Sequence, residues 1–161
     1  MTSTTALVPM TAAEYKTYVS VAIPAFAKEK VAAGQWSEAE SLNLASQSFY
    51  GLLPQGLGTP DHHLFTICDG SARRIGVLWI AIQKRADKRV AYVYEIYIDP
   101  AHRRLGHATG ALLALVDKAS DLRFSGIALH VFGHNAGAQA LYGKLGFVAT
   151  DITMFKSLDL Q

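Results

Sequence analysis

The chain has 161 residues, half of them hydrophobic and 17% charged, with a formal net charge of +2. That length supports one folded domain with a substantial core, and the composition excludes a wholly disordered chain. The small charge gives no basis for nucleic-acid binding, which needs a concentrated basic face.

Cys68 is the single cysteine, so no intramolecular disulfide can form, which suits a reducing cytosol. It lies in the strand-like run “HLFTIC” and reads as a small buried apolar residue rather than a nucleophile. “MTSTTALVPM” has neither the basic region nor the apolar run of a signal peptide. No segment approaches the length of a membrane span. The expectation is a soluble cytoplasmic protein, one domain over residues 1–161, with residues 1–5 as a loose tail.

“LVPM” reads as a short edge strand. Thr11-Ala-Ala-Glu14 has the hydroxyl and carboxylate of a capping box, with Met10 and Tyr15 placed as a hydrophobic staple. The helix it opens presents Tyr15, Tyr18, Val19, Ala22 and Phe26 on one face. Pro24 is expected to kink or split that helix, and Gly34 to end it. Ser37-Glu-Ala-Glu40 repeats the box before a second helix with the face Leu42, Ala45 and Phe49, which stops near Gly51. “LPQGLGTPD” is a Pro/Gly-rich loop. “HHLFTICD”, “RIGVLWIAIQ” and “VAYVYEIYID” then read as three strands, the last two joined by the turn “KRADKR”. A helix from about Leu105 to Leu122 buries the stripe Ala108, Leu112, Leu115, Ala119 and Leu122. “GIALHVF” is a strand. “NAGAQALYGKL” is a helix with Asn135 as N-cap and Gly146 as its stop. “FVAT” and “ITMFKSL” are expected as a closing antiparallel pair around Asp151.

The strand–helix–strand unit over residues 90–131 implies a right-handed parallel crossover, and the rest reads as antiparallel. The expected architecture is an α/β fold: a mixed, mostly antiparallel central sheet of six to seven strands with helices on both faces.

The chemistry concentrates where strand “VAYVYEIYID” hands over to a helix, at “RRLGHATG”. A helix N-terminus offers unpaired N–H groups and a partial positive charge, and after a strand it makes a phosphate seat. Gly106 and the small Ala108 let the backbone come close to a pyrophosphate. Arg103 and Arg104 add donors. No Gly-Lys-Ser/Thr follows, so this is not a Walker A loop, and it is not GxGxxG. On its own the stretch is equally readable as an ordinary strand–helix turn with solvated arginines.

A second segment changes that balance. Arg103-x-x-Gly106-x-Ala108 resembles the acyl-CoA pyrophosphate signature R/Q-x-x-G-x-G/A of the GCN5-related N-acetyltransferases (GNAT). “HVFGHNAGAQALYGKLGF” is similar to the later motif of that family, through Asn135, Ala138, Leu141, Tyr142, Leu145, Gly146 and Phe147. The element order matches from end to end. “EKVAAGQW” and “LLPQGLGTP” further resemble a bacterial, YycN-like subset. Two positions depart from the family pattern. Arg104 stands where glycine is usual, and His107 where an aliphatic residue is usual. Neither removes a backbone donor.

The resemblance implies a splayed parallel strand pair that admits acetyl-CoA as co-substrate. The N–H groups of Leu105, Gly106, His107, Ala108 and Thr109 would hold the pyrophosphate, with Arg103 and Arg104 beside them. The backbone of Ile98 and the side chain of Asn135 would bind the pantetheine arm. Asn135 also reads as a plain helix cap. Tyr142 follows Asn135 by seven residues, two helical turns, so both lie on nearly one face. In the family such a Tyr protonates the departing CoA thiolate.

The acceptor amine must lose a proton before it attacks, since an ammonium has a pKa of about 10. Glu95, the only acid inside “VAYVYEIYI”, is the candidate base. The alternative is a glutamate on an open strand face or paired with an arginine. His130, His62, His63 and His134 read as structural, and no His/Cys/Asp cluster has metal-ligand spacing. The expected reaction is direct acetyl transfer from acetyl-CoA to a primary amine through a tetrahedral intermediate, without an acyl-enzyme. The competing reading is a non-catalytic acyl-CoA-binding regulatory module. The acceptor, a small molecule or a protein or peptide amine, would sit near “AAGQW”, Asp151 and tyrosines 92, 94 and 97, where aromatic faces can meet a cation. Neither nucleic acid nor membrane is an expected partner, and a homodimer is compatible with these residues, which do not specify one.

Overall fold

Two capping boxes are written in the sequence, and one closes. In the computed structural model, which describes residues 4–159, Thr11 Oγ1 accepts from the Glu14 N–H at 3.2 Å and Glu14 returns the bond to the Thr11 N–H at 3.0 Å. This starts α1 (Ala12–Ala32). Ser37 is the N-cap of α2 (Glu38–Leu52), but its hydroxyl donates to the Glu40 carboxylate and caps no backbone group. Pro24 does not split α1, which runs through it. The carbonyl left without a partner is that of Ser20, on the exposed side of the helix, where water can serve it.

The chain forms two compact units, one ending at His130 and the other starting at Val131. The first holds a five-stranded sheet in the order β1-β2-β3-β4-β5: β1 (Ala6–Pro9), β2 (His62–Cys68), β3 (Arg74–Arg85), β4 (Lys88–Ile98) and β5 (Gly126–Leu129). The first four pair antiparallel, and β5 runs parallel to β4, as the crossover implied. The crossover carries α3 (His107–Asp117) and a separate turn, α4 (Ala119–Leu122), so the single helix expected to Leu122 breaks at Lys118.

Each face of the sheet has its own core. On one face Ile67, Ile75, Leu78 and Ile80 pack with Ala111 and Leu115 of α3. These strand and helix side chains are fully or almost fully buried, and truncating one of the isoleucines or leucines to alanine should cost about 2–5 kcal/mol. On the other face Tyr18, Val19, Ala22 and Ile23 of α1 and Ala45 and Phe49 of α2 cover Leu64 and Trp79. Leu42 is 57% exposed, and Ser41 takes its place on the buried face of α2. Residues 1–3 of the expected tail lie outside the described residues. Thr5 is held, with its Oγ1 3.1 Å from His107 Nδ1.

The second unit contains α5 (Ala136–Lys144). The closing strand pair is a correction: among the described residues the sheet has five strands, not six to seven, and residues 147–159 form none. Val148, Met154 and Phe155 are 82%, 89% and 92% exposed. Alternating apolar residues supply strand propensity, but a strand exists only with a partner ladder, and among the described residues this segment has none.

Candidate active site

β3 and β4 lose register between Trp79 and Ile80, whose partners are Glu95 and Val93. Tyr94 is the extra residue of a bulge, and such a bulge re-aims neighbouring side chains. Val93 and Ile96 pack on the α3 face. Tyr94 packs with the α1–α2 cluster, and Glu95 meets Tyr18 of that cluster. Two consecutive side chains thus point to one face, which a regular strand forbids. The β4–β5 ladder also ends here: its pairs run from Val90↔Gly126 to Val93↔Leu129, while β4 continues to Ile98. The parallel strands therefore pair over only part of β4, and among the described residues the β5-facing backbone of β4 beyond Val93 has no strand partner.

Glu95 lies at this opening, largely buried. Burial pushes its carboxyl upward, the Tyr18 hydrogen bond opposes that rise, and the Glu29 charge adds to it. Trp79, Tyr94 and His62 form a stacked wall on the same face: Trp79 and Tyr94 are 4.8 Å apart and His62 and Tyr94 5.7 Å. Tyr92 meets Tyr94 edge-on at 4.9 Å. A cavity of about 280 Å³ under the N-terminal half of α1 is lined by Met10, Thr17, Tyr18, Thr66, Arg74 and Asp99 among others.

Beyond Ile98 a short 3₁₀ turn (Pro100–His102) leads into Arg103. Arg103 has one of its donors already engaged. Its Nε donates to the Ile98 carbonyl at 2.7 Å, and its guanidinium lies 5.3 Å over the Tyr97 ring. The Asp99 N–H is spent on Ile75 of β3 at 2.8 Å. Peptide groups alternate along a strand, so the Ile98 amide faces the opposite, open edge. With its carbonyl occupied, its N–H is the group left for a pantetheine arm.

Arg104 at φ 63° and Gly106 at φ 82° both stand in the left-handed region. For Arg104 that carries about 1–2 kcal/mol of strain. Gly106 is the N-cap of α3 and brings no side chain to it. A Cβ there would meet no heavy atom within 4 Å, so the approach to the helix start is open. An uncapped helix N-terminus with open space above it fits a pyrophosphate. Leu105 is 58% exposed, whereas His107 is 6% exposed and is held to Thr5. His107 therefore braces the turn from below, while Ala108 and Thr109 continue the first turn of α3.

In the second unit Asn135 caps α5, its Oδ1 accepting from the Ala138 N–H at 3.1 Å. Its amide nitrogen has no hydrogen-bond partner among the described residues, so the capping and ligand roles use separate atoms. Tyr142 lies on the same helix, 5.5 Å from Phe147, and burial pushes its phenol upward. Leu145 forms the C-cap and Gly146 follows at φ 90°.

Other candidates fall to structural duties. His62 Nδ1 accepts from Trp79 Nε1 at 3.0 Å, and His63 stacks on Phe65. Burial pushes the Cys68 thiol upward, away from the reactive thiolate. Among the described residues no group of three His, Cys, Asp or Glu stands close enough to hold a metal ion. Among the described residues no helix is long and apolar enough to cross a membrane. Sequence reasoning missed the link from Tyr18 to Glu95. Its one signal, Tyr18 on the buried helix face, named no partner.

A model of the acetyltransferase (GNAT) family matches residues 31–147. The uncharacterized N-acetyltransferase YycN of Bacillus subtilis is 36% identical over 152 residues, covering 94% of this chain and 97% of its own. The uncharacterized N-acetyltransferase YdgE of the same organism is 32% identical over 149 residues, covering 92% and 95%. The crystal structure of Bacillus subtilis YycN matches with a TM-score of 0.88, covering 96% of this chain and 99% of that one at 36% identity. An acetyltransferase of Trypanosoma brucei, at 17% identity and a TM-score of 0.56 over 96% of this chain and 99% of its own, shares the fold. The family match spans both the strand–turn–helix around Gly106 and the helix from Asn135 to Tyr142. The chain is thus an N-acetyltransferase and belongs to the GNAT acetyltransferase family.

Proposed function

We propose that the protein moves an acetyl group from acetyl-CoA, the co-substrate of this family, to a primary amine on a small molecule or on a peptide or protein. The observation that carries the reading is the coincidence at Glu95 of the β4 bulge, the end of the β4–β5 ladder and a buried carboxylate. In this reading the N–H groups from Leu105 to Thr109 hold the pyrophosphate, with Arg104 free to add a donor. The Ile98 N–H and the Asn135 side chain take the pantetheine arm.

Glu95 accepts the proton of the acceptor ammonium. A carboxyl raised by burial is better matched to that task near neutral pH than an ordinary one. The amine then forms its C–N bond at the thioester carbonyl, whose developing negative charge N–H groups on the open edge of β4 can stabilise. The tetrahedral intermediate collapses as the C–S bond breaks: Tyr142 gives its proton to the departing sulfur, and the nitrogen, which still carries two protons, returns one to the phenolate, leaving a neutral amide. Side chains make these proton transfers, and the chemistry requires neither a metal nor an acyl-enzyme. Residues 1–161 act as one catalytic domain in this reading. The lone buried Cys68 agrees with a bacterial cytoplasm.

The test is release of CoA thiol from acetyl-CoA over a panel of amines and peptides. At least one amine should be turned over, and Tyr142→Phe should lower kcat well beyond any change in acetyl-CoA affinity. Acetyl-CoA binding with no amine ever releasing CoA would instead identify a regulatory module.

A further inference from the structure

Tyr18 is 9% exposed, in the N-terminal half of α1, with its ring 6.4 Å from Phe49. A buried phenol requires a hydrogen-bond partner. Here the partner comes from a distant element: Tyr18 donates to Glu95 Oε2. Among the described residues this is the only hydrogen bond of the Glu95 side chain, so Oε1 remains uncommitted. The ring packs against Phe49 of α2 on one side and lines the cavity beneath α1 on another. Such a donor sets the position of one carboxylate oxygen and, through the rigid carboxylate plane, the direction of the other.

We propose that Tyr18 is a positioning residue for the general base, tying Glu95 Oε2 to α1 so that Oε1 is presented to the acceptor amine. This rests on the reading of Glu95 as base. Tyr18 touches no reacting atom; it acts through Glu95. Its phenol stays protonated, because burial and the neighbouring Glu95 charge both push its pKa up. It therefore serves as a constant donor across the working pH range.

Two groups act on Glu95, both from α1: Tyr18 and, about three helical turns further on, Glu29. Other titratable groups stand on the elements around it. From β2 there is His62, reached through Trp79 and Tyr94. β4 adds Tyr92, Tyr94 and Tyr97, and β3 has no titratable residue between Gly76 and Ile82. The Tyr18 bond favours ionised Glu95, and burial and Glu29 disfavour it. Removing the phenol should therefore raise the pH at which the base becomes active, and removing the Glu29 charge should lower it.

The experiment compares pH profiles of kcat/KM for an amine that the wild type acetylates, in wild type, Tyr18→Phe, Glu29→Gln, Glu95→Gln and the Tyr18→Phe/Glu95→Gln pair. Tyr18→Phe keeps the ring and should move the acid limb up by about one to two pH units, the typical effect of losing a hydrogen bond to a charged group. Glu29→Gln, at a solvent-exposed position of α1, should move it down. In the Glu95→Gln background Tyr18→Phe should change neither the rate nor the profile. An unmoved limb in Tyr18→Phe, or an equal loss from that change in both backgrounds, overturns the positioning role. A Glu95→Gln enzyme that keeps the wild-type limb overturns the base assignment itself, so the two failures are distinct. Should Tyr18→Phe fold poorly, the hydroxyl proton of Tyr18 and the carboxyl ¹³C signal of Glu95 in the wild type still decide: that proton should be protected from exchange and should shift as Glu95 titrates, and a Tyr18 hydroxyl that exchanges freely or ignores that titration overturns the positioning role.

Discussion

Replacing Glu95 with glutamine should stabilise the protein at neutral pH, and by less as the pH falls. Glu95 is largely buried, has one donor in Tyr18 and has the Glu29 charge nearby, with burial the largest influence and its pKa raised. A carboxyl raised in the folded state favours folding while it is protonated. That stability is fully present below the unfolded value and is lost as the pH climbs through the folded one. Each unit between the two values is worth about 1.4 kcal/mol. For a domain of this size that is about 3–5 °C in Tm per unit. Glutamine has the same shape, leaves a carbonyl oxygen for Tyr18 and has no charge to desolvate. Thermal unfolding of both proteins from pH 4 to pH 8.5 should show curves that meet at the acid end and separate in favour of Glu95→Gln as the pH rises. A gap that stays constant, or one that grows in favour of wild type with rising pH, would refute the burial argument.

Two glycines carry further predictions. A Cβ on Gly76 would overlap the Tyr97 carbonyl oxygen, which belongs to the β4 backbone and cannot swing aside. Gly76→Ala should therefore cost at least about 1–3 kcal/mol, seen as a clear fall in Tm, and activity should drop as β4 is displaced near Glu95. Gly106 has open space but φ 82°. Gly106→Ala should cost about 1–2 kcal/mol through backbone conformation alone. It should raise the KM for acetyl-CoA more than it lowers kcat, measured by steady-state CoA release.

Local chemistry was the most legible part of this chain. The Thr11–Glu14 box, the “KRADKR” turn and the Asn135 cap form where spacing and residue type place them, because each is decided within a few residues. The parallel crossover was legible too, since handedness and connection rules leave few topologies. What failed depended on a partner. Ser37 has the right neighbours but bonds Glu40. “FVAT” and “ITMFKSL” have strand propensity but no ladder among the described residues. Leu42 fits the apolar pattern yet lies off the packed face.

The site divides along the same line. The glycine-containing turn after β4 was visible as a pattern, whereas the clamp of Arg103 on Ile98 was not, because it depends on where a 3₁₀ turn aims one guanidinium. The Tyr18–Glu95 pair was hidden for two reasons. It spans 77 residues, and an expected break at Pro24 obscured that Tyr18 and Glu29 lie on one continuous helix. The bulge at Tyr94, which turns Glu95 toward that helix, leaves no mark in the alternation of “VAYVYEIYI”.

The most direct test of the account is the pH dependence of kcat/KM for acetyl transfer to a reactive amine, in wild type and in Glu95→Gln. Wild type should show an acid limb set by one group titrating above the ordinary carboxylate range. Glu95→Gln should lose that limb and fall by about 10²–10⁴ on the plateau, the range of a general base. Equal plateaus with the same limb in both proteins would contradict it.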